Sequence, residues 1–231
     1  MQRISFKSGL LALTLVAIAS STGAVLTACS NVSQSENQAP TASSSDAGHM
    51  QHSGHSSGMN HNMAMDLGEA DANYDLRFID AMKIHHQGAV IMAKEAQQKS
   101  KRPEIKKLAD NIIKAQNTEI SQMQKWRQAW YPQASKEPLA YGGQGKSLVP
   151  MPEKQRQDMM MSGDLGAADD QFDKRFINAM IPHHEGAIKM AEDALTKSKH
   201  PEIKKLAQNI TTSQKAEIEQ MKQWRQSWYK S

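Results

Sequence analysis

An internal repeat constrains this chain more than any other feature. Asp75 to Tyr131 align without a gap on Asp173 to Tyr229 at a constant offset of 98 residues, and 35 of the 57 aligned positions are identical. A duplicated unit buries the same faces twice, so whatever one copy folds into, the other must match and pack against. Each copy reads as two helices. In the first, Phe78, Met82, Ala89, Ala93 and Ala96 recur at helical spacing as one apolar stripe. The pattern breaks at Lys99-Ser100-Lys101-Arg102. Pro103 then suits a first helical turn, where its missing N–H is not needed, and Glu104 favours the positive end of the helix dipole. Ile105, Leu108, Ile112, Ile120 and Met123 form the second stripe, ending at Trp126 and Trp130, which read as hydrophobic caps at one end of the bundle. So short a connection makes the two helices antiparallel neighbours. Two hairpins supply four stripes, and a four-helix bundle buries them economically. The expected fold is all-α, with two hairpins in one bundle; the alternative is two separate hairpins, each completed in a homodimer.

The expected organisation is a signal peptide over 1–28, a tether over 29–70, hairpin repeats over 71–131 and 169–231, and a linker over 132–168. The linker carries several Pro and Gly residues and has room for a short helix around Glu153 to Met161. Arg3 and Lys7 precede an apolar run from Leu10 to Ala19 that is too short to span a bilayer. Leu26-Thr27-Ala28-Cys29 then resembles a lipobox, with Cys29 as the lipidated residue. Cys29 is the single cysteine, so no intramolecular disulfide can form. These features predict export and a lipid anchor on the periplasmic side of a bacterial membrane. Losing Arg3 and Lys7 takes the formal charge from +4 to +2, too balanced for a nucleic-acid partner.

The tether is polar and has no apolar periodicity, which predicts disorder. Its second half nevertheless gathers His49, Met50, His52, His55, Met59, His61, Met63 and Met65, a composition suited to metal capture. In the repeats, Met82-Lys-Ile-His85-His86-Gln-Gly88 corresponds to Met180-Ile-Pro182-His183-His184-Glu-Gly186. At 100° per residue, Met82 lies one turn from both His85 and His86, and Met180 stands likewise to His183 and His184. Met92 and Met190 sit further along the same helices, placed for a second site or for core filling. Thioether is a soft ligand and imidazole an intermediate one. Without cysteine they favour Cu(I), with Cu(II) at histidine-rich positions and Ag(I) as a chemical mimic. Gly88 and Gly186 leave space for a helix, ion or partner to come close, and Pro182 should kink its helix. Against this stands a plain structural role, with methionines as filler and histidines as hydrogen-bonded core. No Glu-x-x-His, HExxH, P-loop or GxSxG pattern occurs, so an enzyme is not expected.

With those residues in view, Phe78-Ile-Asp-Ala-Met82 leading to His85-His86-Gln-Gly-Ala-Val-Ile-Met92-Ala93 resembles the signature of family 305 among domains of unknown function. The second copy, with Pro182 before its histidine pair, resembles it more closely; the first has Ile84 at that place. The resemblance implies a ferritin-like helical bundle of the CopM-like periplasmic type, binding copper and supporting copper resistance. Expected partners are metal ions, with delivery to a copper efflux pump or a cuproprotein. A non-metal interaction module of the envelope and a copper oxidase are the competing readings.

Overall fold

The computed structural model describes residues 65–143 and 145–230. The signal peptide, Cys29, and His49, Met50, His52, His55, Met59, His61 and Met63 of the tether lie outside the described residues. Helix α1 spans Tyr74–Lys99, α2 Pro103–Trp130, α3 Glu153–Met160, α4 Phe172–Lys197 and α5 Pro201–Tyr229. Strands β1 (Leu139–Ala140) and β2 (Val149–Pro150) pair antiparallel, with Leu139 opposite Pro150. The architecture is all-α and ferritin-like, apart from this ribbon, whose two-residue strands are too short to show alternation in a sequence.

Both hairpins turn by the same device. Ser100 (ψ 141°) and Arg102 (ψ 124°) are extended, and Pro103 opens the next helix. The second hairpin repeats this with Ser198 (ψ 143°), His200 (ψ 118°) and Pro201. Each serine hydroxyl accepts the amide N–H two residues on, at 3.1 Å from Arg102 and 3.2 Å from His200. The chain therefore reverses within three residues and lays α2 along α1, and α5 along α4. Helix α4 runs through Pro182 as a single element.

Neither hairpin has a core of its own. One apolar cluster joins Phe78, Ile79, Met82 and Ile84 of α1 to Ala187, Met190, Ala191 and Ala194 of α4, with Met123, Ile203, Leu206 and Ile210. The other joins Ala89, Met92, Ala93 and Ala96 of α1 to Phe176, Ile177, Met180 and Ile181 of α4, with Ile105, Ile112, Ile218 and Met221. The first half of each central helix thus packs on the second half of the other. Separating the hairpins would re-expose side chains worth about 1.5–3 kcal/mol apiece, so the two repeats form one body within the chain. Helices α1 and α4 are the central pair. Helix α1 is buried far beyond its predicted stripe, down to Asp75, Arg77, Asp80, His85 and His86.

The repeat also begins earlier than the helices. Asp66-Leu67-Gly68 and Asp164-Leu165-Gly166 make the same turn, in which the aspartate Oδ1 accepts the glycine N–H at 2.9 and 2.8 Å. The glycines sit at φ +76° and +82°, a left-handed conformation that a Cβ disfavours. Met65 and Leu67 are buried, at 6 % and 4 % exposure. Packing therefore starts at residue 65, inside the span expected as tether. A polar composition hides this, because only two apolar side chains make the contact.

The linker is fastened to the first hairpin by buried charge. Fully buried Arg77 donates to Leu67 O (2.6 Å), Glu69 O (2.7 Å), Asp71 (2.9 Å) and Ser147 O (2.9 Å). Arg127 pairs with Asp80 through Nε (2.6 Å) and Nη2 (3.0 Å), and Asp80 also accepts the amide N–H of Leu139 at 3.0 Å. These contacts hold the ribbon against α1 and lead the chain into α3, which also packs on α1. Helix α3 occupies the place foreseen for a short linker helix and ends at Met160, with Met161 left-handed at φ 47°.

Candidate metal centre

The crossing of α1 and α4 brings His85 and His183 together, with ring centroids 3.8 Å apart and planes tilted by 50°. Both residues are essentially without solvent contact, at 0 % and 1 % exposure. Burial holds the pKa of each ring well below the ordinary histidine range of about 6.5, and the charges that neighbouring histidines would carry push the same way. Both rings are therefore neutral at neutral pH, and each carries a nitrogen lone pair.

The two rings differ in how they are satisfied. His183 Nε2 donates to the Met160 carbonyl at 3.2 Å, which leaves its Nδ1 without a partner. His85 has no hydrogen-bond partner at either Nδ1 or Nε2. An unpaired polar group in a dry interior costs about 1–3 kcal/mol, so nothing described in the fold satisfies the His85 ring nitrogens.

The adjacent histidines face elsewhere. His86 Nε2 donates to Glu119 Oε2 at 2.7 Å, and His184 Nε2 to Glu217 Oε2 at 2.6 Å, each reaching across its own hairpin. Sequence reasoning missed both glutamates. The clue was there, since each lies 33 residues after its histidine in both copies, as Glu119 and Glu217 differ by the repeat offset. Such a carboxylate fixes the tautomer and leaves Nδ1 as the free nitrogen, unpartnered in both residues.

The methionines are divided between the two cores. Met82 and Met190 share the first, Met92 and Met180 the second, all at 0 % exposure. What meets is one histidine from each repeat, flanked by sulfur-rich cores on both sides. Met159 is also fully buried in the first core, and Met65 joins it. Among the described residues no three His, Cys, Asp or Glu side chains are grouped to hold a metal ion.

The repeated glycines of the motif are notches. A Cβ on Gly88 would lie 1.7 Å from the Met160 carbonyl oxygen, so only glycine admits α3 there. A Cβ on Gly186 would lie 2.9 Å from Met65 Cε, 3.0 Å from His85 Nε2 and 3.6 Å from Met65 Sδ. The tryptophan pairs stack, at 5.2 Å for Trp126–Trp130 and 5.1 Å for Trp224–Trp228. Trp130 also stacks on His200 at 3.9 Å, and Arg102 lies 4.2 Å over Trp228. The residue ahead of each Pro-led helix thus caps the far end of the opposite hairpin.

An all-α double hairpin with a buried inter-repeat histidine pair and methionine-rich walls defines a class of helical His/Met bundles. The chain belongs to the DUF305 family (Domain of unknown function), whose model matches it twice, over residues 17–127 and 75–225. It is similar to a solved structure of CopM in the Cu(II)-bound form, at 42% identity and TM-score 0.55, covering 67% of this chain and 97% of that one. CopM in the Cu(I)-bound form matches over the same shares at 40% identity and TM-score 0.52. CopM has also been solved in an Ag-bound form. Among curated proteins, Uncharacterized protein L153 of Acanthamoeba polyphaga mimivirus is 47% identical over 49 residues, 21% of this chain. That match covers 32% of the viral protein, so the chain spans about a third of that relative's length. Neither the family description nor these relatives name a catalytic activity.

Proposed function

We propose that this chain is a copper-binding protein of the bacterial cell envelope, which captures and buffers Cu(I), accepts Cu(II), and takes Ag(I) as a mimic. The observation that carries this reading is the His85–His183 pair: neutral, buried, and short of hydrogen-bond partners between two methionine-rich cores. Nitrogen and thioether donors without thiolate suit Cu(I), and they resist the oxidation that threatens cysteine sites outside the cytoplasm. The kinship with CopM, solved with Cu(I), Cu(II) and Ag bound, supports the same choice of metal.

In this account His85 and His183 hold the ion, with sulfur drawn from the methionines around them. His86 and His184 orient the central helices through Glu119 and Glu217, and offer Nδ1 as a further donor. The His/Met tether of residues 46–65 collects ions for the bundle, Cys29 carries the lipid, and bound copper passes to an efflux pump or a cuproprotein.

The test is a Cu(I) competition titration of the full chain against its His85→Asn/His183→Asn variant. The account expects loss of the tightest equivalent with the helical signal retained. Unchanged stoichiometry and affinity would assign these histidines to an interaction module instead. Deleting residues 46–64, which spares Met65, isolates the contribution of the tether.

A further inference from the structure

The two histidines of the central pair are equivalent by the repeat, yet their surroundings are not. On one side, the Gly88 notch is filled by the Met160 carbonyl, and that oxygen accepts a hydrogen bond from His183 Nε2–H. On the other, the Gly186 notch is filled by the thioether of Met65, and His85 Nε2 beside it has no partner. Both Met65 Sδ (3.6 Å) and His85 Nε2 (3.0 Å) lie within 4 Å of the point where a Cβ on Gly186 would sit. A thioether is a weak hydrogen-bond acceptor but a good soft ligand. Sulfur therefore does nothing to satisfy the imidazole as it stands, whereas an ion placed between them would satisfy both.

We propose that the soft-metal site is one-sided: His85 Nε2 and Met65 Sδ form its primary donor pair in the notch left by Gly186, with His183 Nδ1 as the adjoining third donor. This rests on the copper-binding reading and assigns its sulfur. The donor is Met65, at the start of the packed chain, and none of the four methionines of α1 and α4. The site has no twin at Gly88, because a backbone carbonyl already occupies that place. The residue equivalent to Met65 in the second repeat is Gly163, whose surroundings are open and which brings no sulfur. A single primary site per chain follows, despite the duplication. The final residue of the His/Met segment then belongs to the site itself, which joins collector to destination through one residue.

The experiment titrates Cu(I) into the full chain against a chromogenic chelator, comparing the unsubstituted protein with Met65→Leu, Gly186→Ala and Met123→Leu. Met65→Leu keeps the volume and removes the sulfur. Gly186→Ala fills the notch, where it meets the end of Met65 and His85 Nε2 rather than backbone. Met123→Leu is a control at another fully buried methionine of the same core. Losing an outer partner of a metal site already costs about ten- to a hundredfold in affinity, so both site variants should weaken Cu(I) by about tenfold or more, with the control unchanged. As a second readout, Ag(I) added to methyl-labelled protein should shift the Met65 methyl resonance at the first equivalent, which a mere filler would not show. Tight Cu(I) binding that survives both substitutions overturns the one-sided site and leaves the copper reading standing. Absence of tight binding in the unsubstituted chain overturns both.

Discussion

The two repeats began as one sequence and now do different work. The first is locked down: Arg77 is fully buried among carbonyls and Asp71, and Asp80 and Arg127 form a buried two-point pair that also grips the linker. In the second, Arg175 meets the same turn carbonyls from a half-buried position, and Arg225 makes an exposed 3.2 Å contact to Asn178 where the first copy has Asp80. The cause is topological. The linker folds back over the first hairpin and supplies partners for its charges; nothing described covers the second hairpin in that way. The first copy holds His85, with no partner at either ring nitrogen, and the second holds His183, partnered at Nε2 alone. Duplication supplied two equivalent histidines, and their surroundings are unequal.

Breaking that asymmetry should show most clearly at its charges. Asp80→Ala strands a buried arginine and should cost about 3–5 kcal/mol, whereas Asn178→Ala should stay within about 0.5 kcal/mol; urea unfolding of both variants measures the difference. Equal losses would mean that the linker grip is immaterial. Next come the notches. Gly88→Ala drives a Cβ into a backbone carbonyl and should cost about 1–3 kcal/mol or more, while Gly186→Ala meets only side-chain atoms, the end of Met65 and the edge of the His85 ring, and should cost less, again by urea midpoint.

A smaller and more telling effect concerns the central pair without metal. His85→Leu removes two unpaired nitrogens, so the metal-free protein should be unharmed or stabilised. His183→Leu orphans the Met160 carbonyl and should cost about 1 kcal/mol. Thermal unfolding in the presence of a chelator compares them, and a large loss for His85→Leu would mark it as ordinary core. The smallest effect is acid sensitivity. Partial burial raises the pKa of Asp71, but the hydrogen bonds from Arg77 and Ser147 outweigh it and hold the carboxyl at about 2 against an ordinary 3.8. The folded state therefore prefers the ionised form. The resulting stability is complete above pH 3.8 and is lost as pH falls through 2. Asp71→Asn should flatten the stability profile in that window more than Asp169→Asn, whose carboxyl is more exposed. Equal flattening would contradict the difference in burial.

Much of the fold was legible in the residues. The repeat, the Pro103 and Pro201 helix starts, the hairpin turns and the short helix before Met161 all follow from local chemistry, which a sequence states directly. The sharing of the cores was not legible, because a stripe shows that it is buried but not against what. Of the candidate centre, His85 and His183 were visible as motif residues, and Gly88 and Gly186 as places for close approach. The separation of His86 and His184 from the central pair was hidden, since Glu119 and Glu217 lie a helix away. The role of the Met160 carbonyl could not be seen, because backbone atoms have no sequence signature. Met65 was counted with the tether for its neighbours' polarity, although the Asp66-Leu67-Gly68 match to Asp164-Leu165-Gly166 marks where packing begins.

The most direct test of the central claim is X-ray absorption at the copper edge, on full chain loaded with one equivalent of Cu(I), with and without His85→Asn/His183→Asn. The account predicts mixed imidazole and thioether scattering in the unsubstituted chain and a weaker imidazole component in the variant. An identical spectrum from both proteins would contradict it and move the copper out of the bundle.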